Sequence, residues 1–193
     1  MTKHINFSHA GMDLNKVPFE RFHRLFYPQV AAVIAATDGE RVGGLLASSI
    51  MPVSFNPPRV ATALGKNHTT TQLVEKSQHF SVNWLSHEHV EKMELLSKPA
   101  AASTVDKLKE CGLMHRPGEN TGAPILRDAS AYLECRVATR LDTGDHILYV
   151  AEVVDARALD DFGEYWAFRV YKPVLYVGSA RTNWPKFLKF PSE

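Results

Sequence analysis

Residues 129–154 constrain the fold more than any other part of the chain. From Ala129 to Leu141, Ala131, Leu133, Cys135 and Val137 alternate with Tyr132, Glu134 and Arg136, the period of a half-buried strand. Thr143-Gly144 supplies a turn, and Ile147 to Val154 (ILYVAEVV) returns as a second strand, so the two runs form one long hairpin. Other strand signals surround it. Val30 to Thr37 (VAAVIAAT) is a short apolar run suited to a buried strand, and Asp38-Gly39 after it marks a hairpin turn. His79 to Leu85 puts Phe80, Val82 and Trp84 on one face and Ser81 and Asn83 on the other, and Pro173 to Val177 is a last short strand.

Helices are few and short. Phe19, Phe22 and Phe26 recur at helical spacing behind Pro18 and predict a stripe facing the core. Thr69 to Ser77 reads as a helix, Ser86 as the N-cap of a helix over Glu88 to Leu96, and Ser103 or Thr104 as the cap of one ending at Gly112. Met51, Met93 and Met114 read as core fillers. Strands dominate and no βαβ rhythm recurs. That excludes a doubly wound nucleotide fold and favours a mainly β architecture, a closed or split antiparallel β-barrel with short peripheral helices.

The chain has 193 residues, which suits one domain over 16–193 behind a polar arm at 1–15. Its 22 basic and 21 acidic side chains leave a net charge of +1, so no general field for nucleic acid or membrane exists. Cys111 and Cys135 make no CxxC pair or disulfide framework, and the N-terminus has no apolar signal core; both point to a cytoplasmic protein. No HExxH, Walker loop, GxSxG or GxGxxG is present, and no metal site is predicted.

The stretch most informative about function is Gly43 to Thr71. It opens with Gly43, Gly44, Ala47, Ser48 and Ser49, small residues that let a flat group approach the backbone. Ser54-Phe55-Asn56-Pro57-Pro58 follows, then an apolar strand from Arg59 to Leu64, a break at Gly65, and Lys66-Asn67-His68-Thr69-Thr70-Thr71 leading into a helix. Hydroxyls and a lysine at a helix N-terminus form a candidate phosphate seat at Lys66, Thr69 and Thr70. The whole stretch resembles a mononucleotide site, although helix capping and close strand packing use the same residues.

Ser54-x-Asn56-Pro57-Pro58 with Gly65-Lys66 and Thr70 resembles the flavin reductase-like family of the FMN-binding split barrel. Phe80-Ser81-Val82-Asn83, Asp106-Lys107, Gly122-Ala123-Pro124-Ile125-Leu126, Leu133-Glu134-Cys135-Arg136-Val137 and Gly144-Asp145-His146 follow in the family's order, over roughly residues 25 to 178. The resemblance implies a six-stranded split barrel that binds FMN and takes hydride from NAD(P)H, with two subunits sharing each flavin site in a homodimer. It implies flavin contacts from Ala47, Ser48, Ser49, Ile50, Ser54, Lys66, His68, Thr69, Thr70, Asn83 and Lys107, and places His146 near the nicotinamide. Reduced flavin would pass to a monooxygenase or another acceptor. The rival readings are an FMN-binding electron carrier without NAD(P)H turnover and, more remotely, an oxidase of the pyridoxamine-phosphate type. Phe162, Tyr165, Trp166, Trp184 and Phe187, aromatics outside the barrel strands, mark a candidate interface.

Overall fold

The computed structural model describes residues 14–101, 103–178 and 185–189; most of the arm at 1–15 lies outside that range, as does Trp184. A 3₁₀ helix at Phe19–Phe26 precedes β1 (Gln29–Val30), β2 (Ala32–Thr37), β3 (Val42–Ala47), β4 (Ile50–Phe55) and β5 (Pro58–Gly65). Then come α1 (Thr69–Ser77), β6 (His79–Leu85), α2 (Val90–Leu96), α3 (Lys107–Glu110), β7 (His115–Pro117) and β8 (Pro124–Leu126). The long hairpin is β9 (Ala129–Asp142) and β10 (His146–Ala158), followed by β11 (Val174–Tyr176) and β12 (Phe187–Lys189). Among the described residues, no helix is long and apolar enough to cross a membrane.

Seven strands form one antiparallel sheet in the order β3-β2-β6-β9-β10-β5-β4. Its two edges, β3 and β4, are separated along the chain only by Ser48 and Ser49. That link spans on the order of 10 Å, whereas seven strands laid flat measure roughly 30 Å across. The sheet must therefore roll until its edges meet, and the result is a split barrel. Counting β3 and β4 as two legs of one strand gives the six strands that the resemblance implies.

The pleat sorts two cores. Ala32, Ile34 and Ala36 of β2 point inward to meet Leu45, Leu64, Phe80, Val82, Cys135 and Tyr149. Ala31, Val33 and Ala35 point outward against Met93, Leu96, Leu108, Leu126, Val174 and Phe187. The run VAAVIAAT thus belongs to a strand covered on both faces, which explains why it lacks alternation. Leu73 and Val74 of α1 close one end of the interior. At the other end Ile50, Trp84 and Leu133 are only partly buried against the same cluster.

Several local expectations change. The aromatic stripe does not face the core: none of the eight residues of Phe19–Phe26 is buried, and Phe19 is 83% exposed. Ser86 stands at the N-cap of the 3₁₀ turn His87–His89 that leads into α2, but its hydroxyl makes no capping bond; buried, it accepts from the Lys172 amide at 3.1 Å and tethers the segment before β11. Asp106, rather than Ser103 or Thr104, caps α3 by accepting from the Lys109 amide. Phe187 is core, not interface, and of the three methionines Met93 is buried while Met51 and Met114 are exposed.

Glu134 of β9 is fully buried and fastens the turn before β8. It accepts from the amides of Glu119, Asn120 and Thr121 and from the Thr121 hydroxyl at 2.8–3.1 Å. Burial works against ionisation, but the bonds from Thr121 and Asn120 outweigh it and hold the carboxyl below its ordinary 4.5. Glu134→Ala, which leaves those donors unpaired, is expected to lower the unfolding free energy by about 3–5 kcal/mol in urea titrations. Because the folded value is depressed, this contribution is present above pH 4.5 and lost as pH falls through the folded value. The stability gap between wild type and Glu134→Gln should accordingly narrow on acidification; a gap constant from pH 7 to pH 3 would contradict this assignment.

Candidate functional site

A cavity of about 290 Å³ lies where the start of β3, the first turn of α1 and the end of α2 meet. Gly65 ends β5, and its carbonyl accepts from the His68 amide and the Thr71 hydroxyl, which folds the chain into α1. His68 holds the N-cap position with no side-chain capping bond. The Thr71 and Gln72 amides reach the His68 carbonyl, whereas the Thr69 and Thr70 amides, in the first turn, have no intrahelical acceptor. His68, Thr69 and Thr70 line the cavity together with Lys107, Arg41 and Lys98, and its described lining contains no carboxylate.

Lys107 donates from Nζ to the carbonyls of Leu96 and Lys98 at 2.7 and 2.6 Å, the free end of α2. Burial lowers its pKa. Burial also lowers that of His68, helped by the charges of Lys107 and His146. The cations therefore work against one another, and an anion in the cavity would relieve them.

The glycines have a packing role. A Cβ at Gly43 would lie 2.7 Å from Leu73 Cδ1 and 2.9 Å from Thr70 Oγ1, and one at Gly44 would collide with Leu108. They let α1 and α3 pack against β3, and both also line the cavity. Lys66 is also committed elsewhere. Its ammonium pairs with Asp142 at 2.7 Å, and it does not line the cavity. The β5–β10 register explains this, since Gly65 lies opposite His146 and brings Lys66 beside the Thr143-Gly144 turn. Lys107, also among the flavin contacts that the resemblance implies, lines the cavity with Arg41 and Lys98 where Lys66 does not.

His146 bonds through Nδ1 to Asp145 at 2.7 Å and is half exposed. A Cβ at Gly65 would come 2.9 Å from His68 Cδ2 and 3.8 Å from His146 Nε2, so the two imidazoles flank this glycine. Asn83 does not reach the cavity. It is fully buried, donates to Val33 O and Ser81 Oγ, and accepts from the Leu126 amide. Its role is to fasten β8 over β6.

From the first cavity the open space follows β3. A second cavity, of about 350 Å³, is lined by Leu46, Ala47, Ser48, Ser97, Tyr176 and Lys186. A third, of about 470 Å³, takes up Ser48 again with Ile50, Met51, Pro52, Trp84 and Leu133. Ala47, Ser48 and Ile50, which the resemblance implies as flavin contacts, therefore line cavities along the barrel's split. Ser49 turns its hydroxyl to Ala63 O, and Ser54 lies farther along β4, opposite Arg59 and outside these cavities. Arg41, Ser97, Lys98 and Lys186 were missed. The only local signal was the pair Ser97-Lys98 before Pro99, which reads as a connector. Among the described residues no three His, Cys, Asp or Glu side chains gather as a metal site.

The model of the flavin reductase like domain matches residues 22–184. The chain belongs to that family. The reductase component of the 4-nitrophenol 4-monooxygenase/4-nitrocatechol 2-monooxygenase of Rhodococcus opacus is 32% identical over 145 residues, 75% of this chain and 74% of that protein. An uncharacterized protein of Aeropyrum pernix is 33% identical over 175 residues, 90% of this chain but only 66% of its own length. In fold, flavoredoxin from Methanosarcina acetivorans matches with a TM-score of 0.80 at 18% identity, covering 94% of each chain.

The electrostatics of the cavity can be tested without a cofactor. His68 is expected to titrate below the ordinary 6.5, and Lys107→Met should raise its pKa by removing a repelling charge. Inorganic phosphate should raise it as well, which means that binding takes up a proton and that phosphate affinity increases as pH falls through the His68 value. Imidazole NMR titrations read both shifts; a His68 pKa indifferent to phosphate would remove it from the anion seat.

Proposed function

We propose that the groove running from the α1 N-terminus along β3 into the split binds FMN, and that the chain is an NAD(P)H-dependent flavin oxidoreductase. One observation carries this reading: a cavity with free helix amides, His68 and Lys107 but no carboxylate continues along a strand edge of small residues. That donor set suits a phosphate dianion at one end and a flat ring at the other. Bound FMN supplies reversible hydride acceptance.

The protein's part is positioning. The Thr69 and Thr70 amides and Lys107 hold the phosphate, and His68 gains a proton as the dianion binds. Ala47, Ser48 and Ile50 present backbone groups along the split to the ring edge. His146, held by Asp145, orients the nicotinamide, since hydride transfer needs no protein nucleophile. Reduced flavin serves a monooxygenase or another acceptor, and two copies of the chain form a homodimer around their flavin sites.

Titration of the apoprotein with FMN and riboflavin tests the core of this reading. FMN should bind more tightly, and Lys107→Ala should remove about 1.5–3 kcal/mol of FMN affinity while leaving riboflavin unchanged. Lys66→Ala, with its charge spent on Asp142, should have a smaller effect. Equal affinities for the two flavins in the wild type would overturn the phosphate assignment. Under anaerobic stopped flow NADH or NADPH should reduce the bound flavin, and His146→Ala should slow that step about 10–100-fold at unchanged FMN affinity. Flavin that binds but is reduced by neither nucleotide would return the carrier reading.

A further inference from the structure

The 3₁₀ helix at Phe19–Phe26 carries Phe19, Phe22, Leu25 and Phe26 at 83, 56, 71 and 65% exposure and buries nothing in its own subunit. Eight residues are too few to hold helical structure in water unaided, so this segment needs a surface to lie on. It leaves the body at a fixed point, where Tyr27 packs edge-on against Tyr176 with ring centroids 4.9 Å apart. A matching vacancy exists elsewhere in the fold. At the barrel end opposite α1 a groove of about 530 Å³ is lined by Val30, Trp84, Leu133, Phe162, Trp166 and Tyr171. Phe162, Trp166 and Tyr171 pack ring to ring along it, with centroids 5.2 and 4.4 Å apart. Trp84 and Leu133 belong to the fringe of the interior core, so the groove is the open mouth of the barrel.

We infer that the Phe19–Phe26 segment of a second copy of this chain fills this mouth, each subunit of the homodimer lending its aromatic arm to the other. Chemistry complements shape: the groove lining is uncharged except for Arg157, which is already paired with Asp155 and Glu119, and so suits the arm's phenylalanines. Size agrees as well. Three phenylalanines of roughly 150–250 Å² each, given by both arms and met by equal groove surface, reach on the order of the 1,600 Å² of a standard stable interface. The mouth also adjoins the proposed flavin groove. Val30, Trp84 and Leu133 line both the mouth and the cavity that contains Ser48 and Ile50. The arm therefore completes the wall next to the partner's ring site. This inference rests on the homodimer of the preceding reading and specifies its contact.

Paired cysteines test the exchange in the full chain. Both native cysteines are buried, so Phe22→Cys with Phe162→Cys adds the exposed thiols. Mild oxidation should convert this double variant into a covalent dimer, and either single variant should remain largely uncrosslinked. Phe22→Glu with Phe26→Glu should raise the dimer dissociation constant at least ~100-fold by sedimentation, while circular dichroism shows the barrel still folded because no residue of the arm is buried in its own subunit. A disulfide within one monomer would put the arm in its own groove and overturn the exchange. A wild-type dimer whose double-cysteine variant forms no disulfide would overturn it too, by locating the interface elsewhere. A wild-type monomer at all concentrations would sink the homodimer along with the exchange, and FMN titration of that same sample reports separately on the flavin site.

Discussion

Everything distinctive about this molecule follows from two edge strands that cannot part. β3 and β4 are the outermost strands of one sheet, and Ser48 and Ser49 alone join them. The sheet must roll, but the joined strands do not pair along their length, so the closure is left open as a seam. Exposed strand edges are hazards that proteins cover, and here the seam is where the cavities line up. The second and third both include Ser48, one on the β3 side and one on the β4 side. Ala47 pairs with Ala32, Ile50 with Thr62, and the Ser49 carbonyl accepts from the Ala63 amide, so the seam offers a ligand only the backbone groups that face away from these partners.

A net charge of +1 conceals how unevenly the charges are arranged. Some cations on the barrel are paired with carboxylates, as in Lys66 with Asp142, Lys76 with Asp38 and Arg140 with Glu75. At the α1 N-terminus they are not. Lys107 is held by carbonyl groups, and burial and neighbouring cations depress His68. That cavity gathers Arg41, Lys98, Lys107 and the His68 imidazole with no carboxylate in its described lining. Cations gathered without carboxylates favour an anionic ligand over the bare cavity.

What the sequence made legible was whatever depends on near neighbours. The period of β9 and β10, the apolar run of β2 and the glycine break before α1 are all local, and all predicted the observed elements. What it hid depends on register and packing at long range. Lys66 seemed free until β5 paired with β10 and brought it to Asp142, 76 residues away. Gly44 looked like a ligand's landing place, and it lines the cavity, but it is also required by Leu108 of α3. Asn83 sits on the polar face of its strand as alternation demands, yet β8 covers that face, so its polarity fastens two layers together instead of meeting a cofactor. Periodicity identified the phenylalanine stripe at Phe19–Phe26 but could not say whose core it faces.

That last ambiguity bears on how ligand and assembly depend on each other. The barrel is sealed at one end by α1 and open at the other, and Val30, Trp84 and Leu133 separate the open mouth from the seam cavity at Ser48 and Ile50. Whatever packs into the mouth presses on residues that also bound the ring end of the groove. If the mouth is filled by the partner's arm, subunit association orders one wall of the flavin site. By linkage the flavin must then strengthen association by the same factor that association strengthens flavin binding. The proposed phosphate end, at His68 and Lys107, lies away from the mouth, so on this reading it has no share in that coupling. The coupling free energy should therefore reside in the ring and not in the phosphate, and riboflavin, which lacks the phosphate, should promote dimerisation as strongly as FMN when each is compared at saturation.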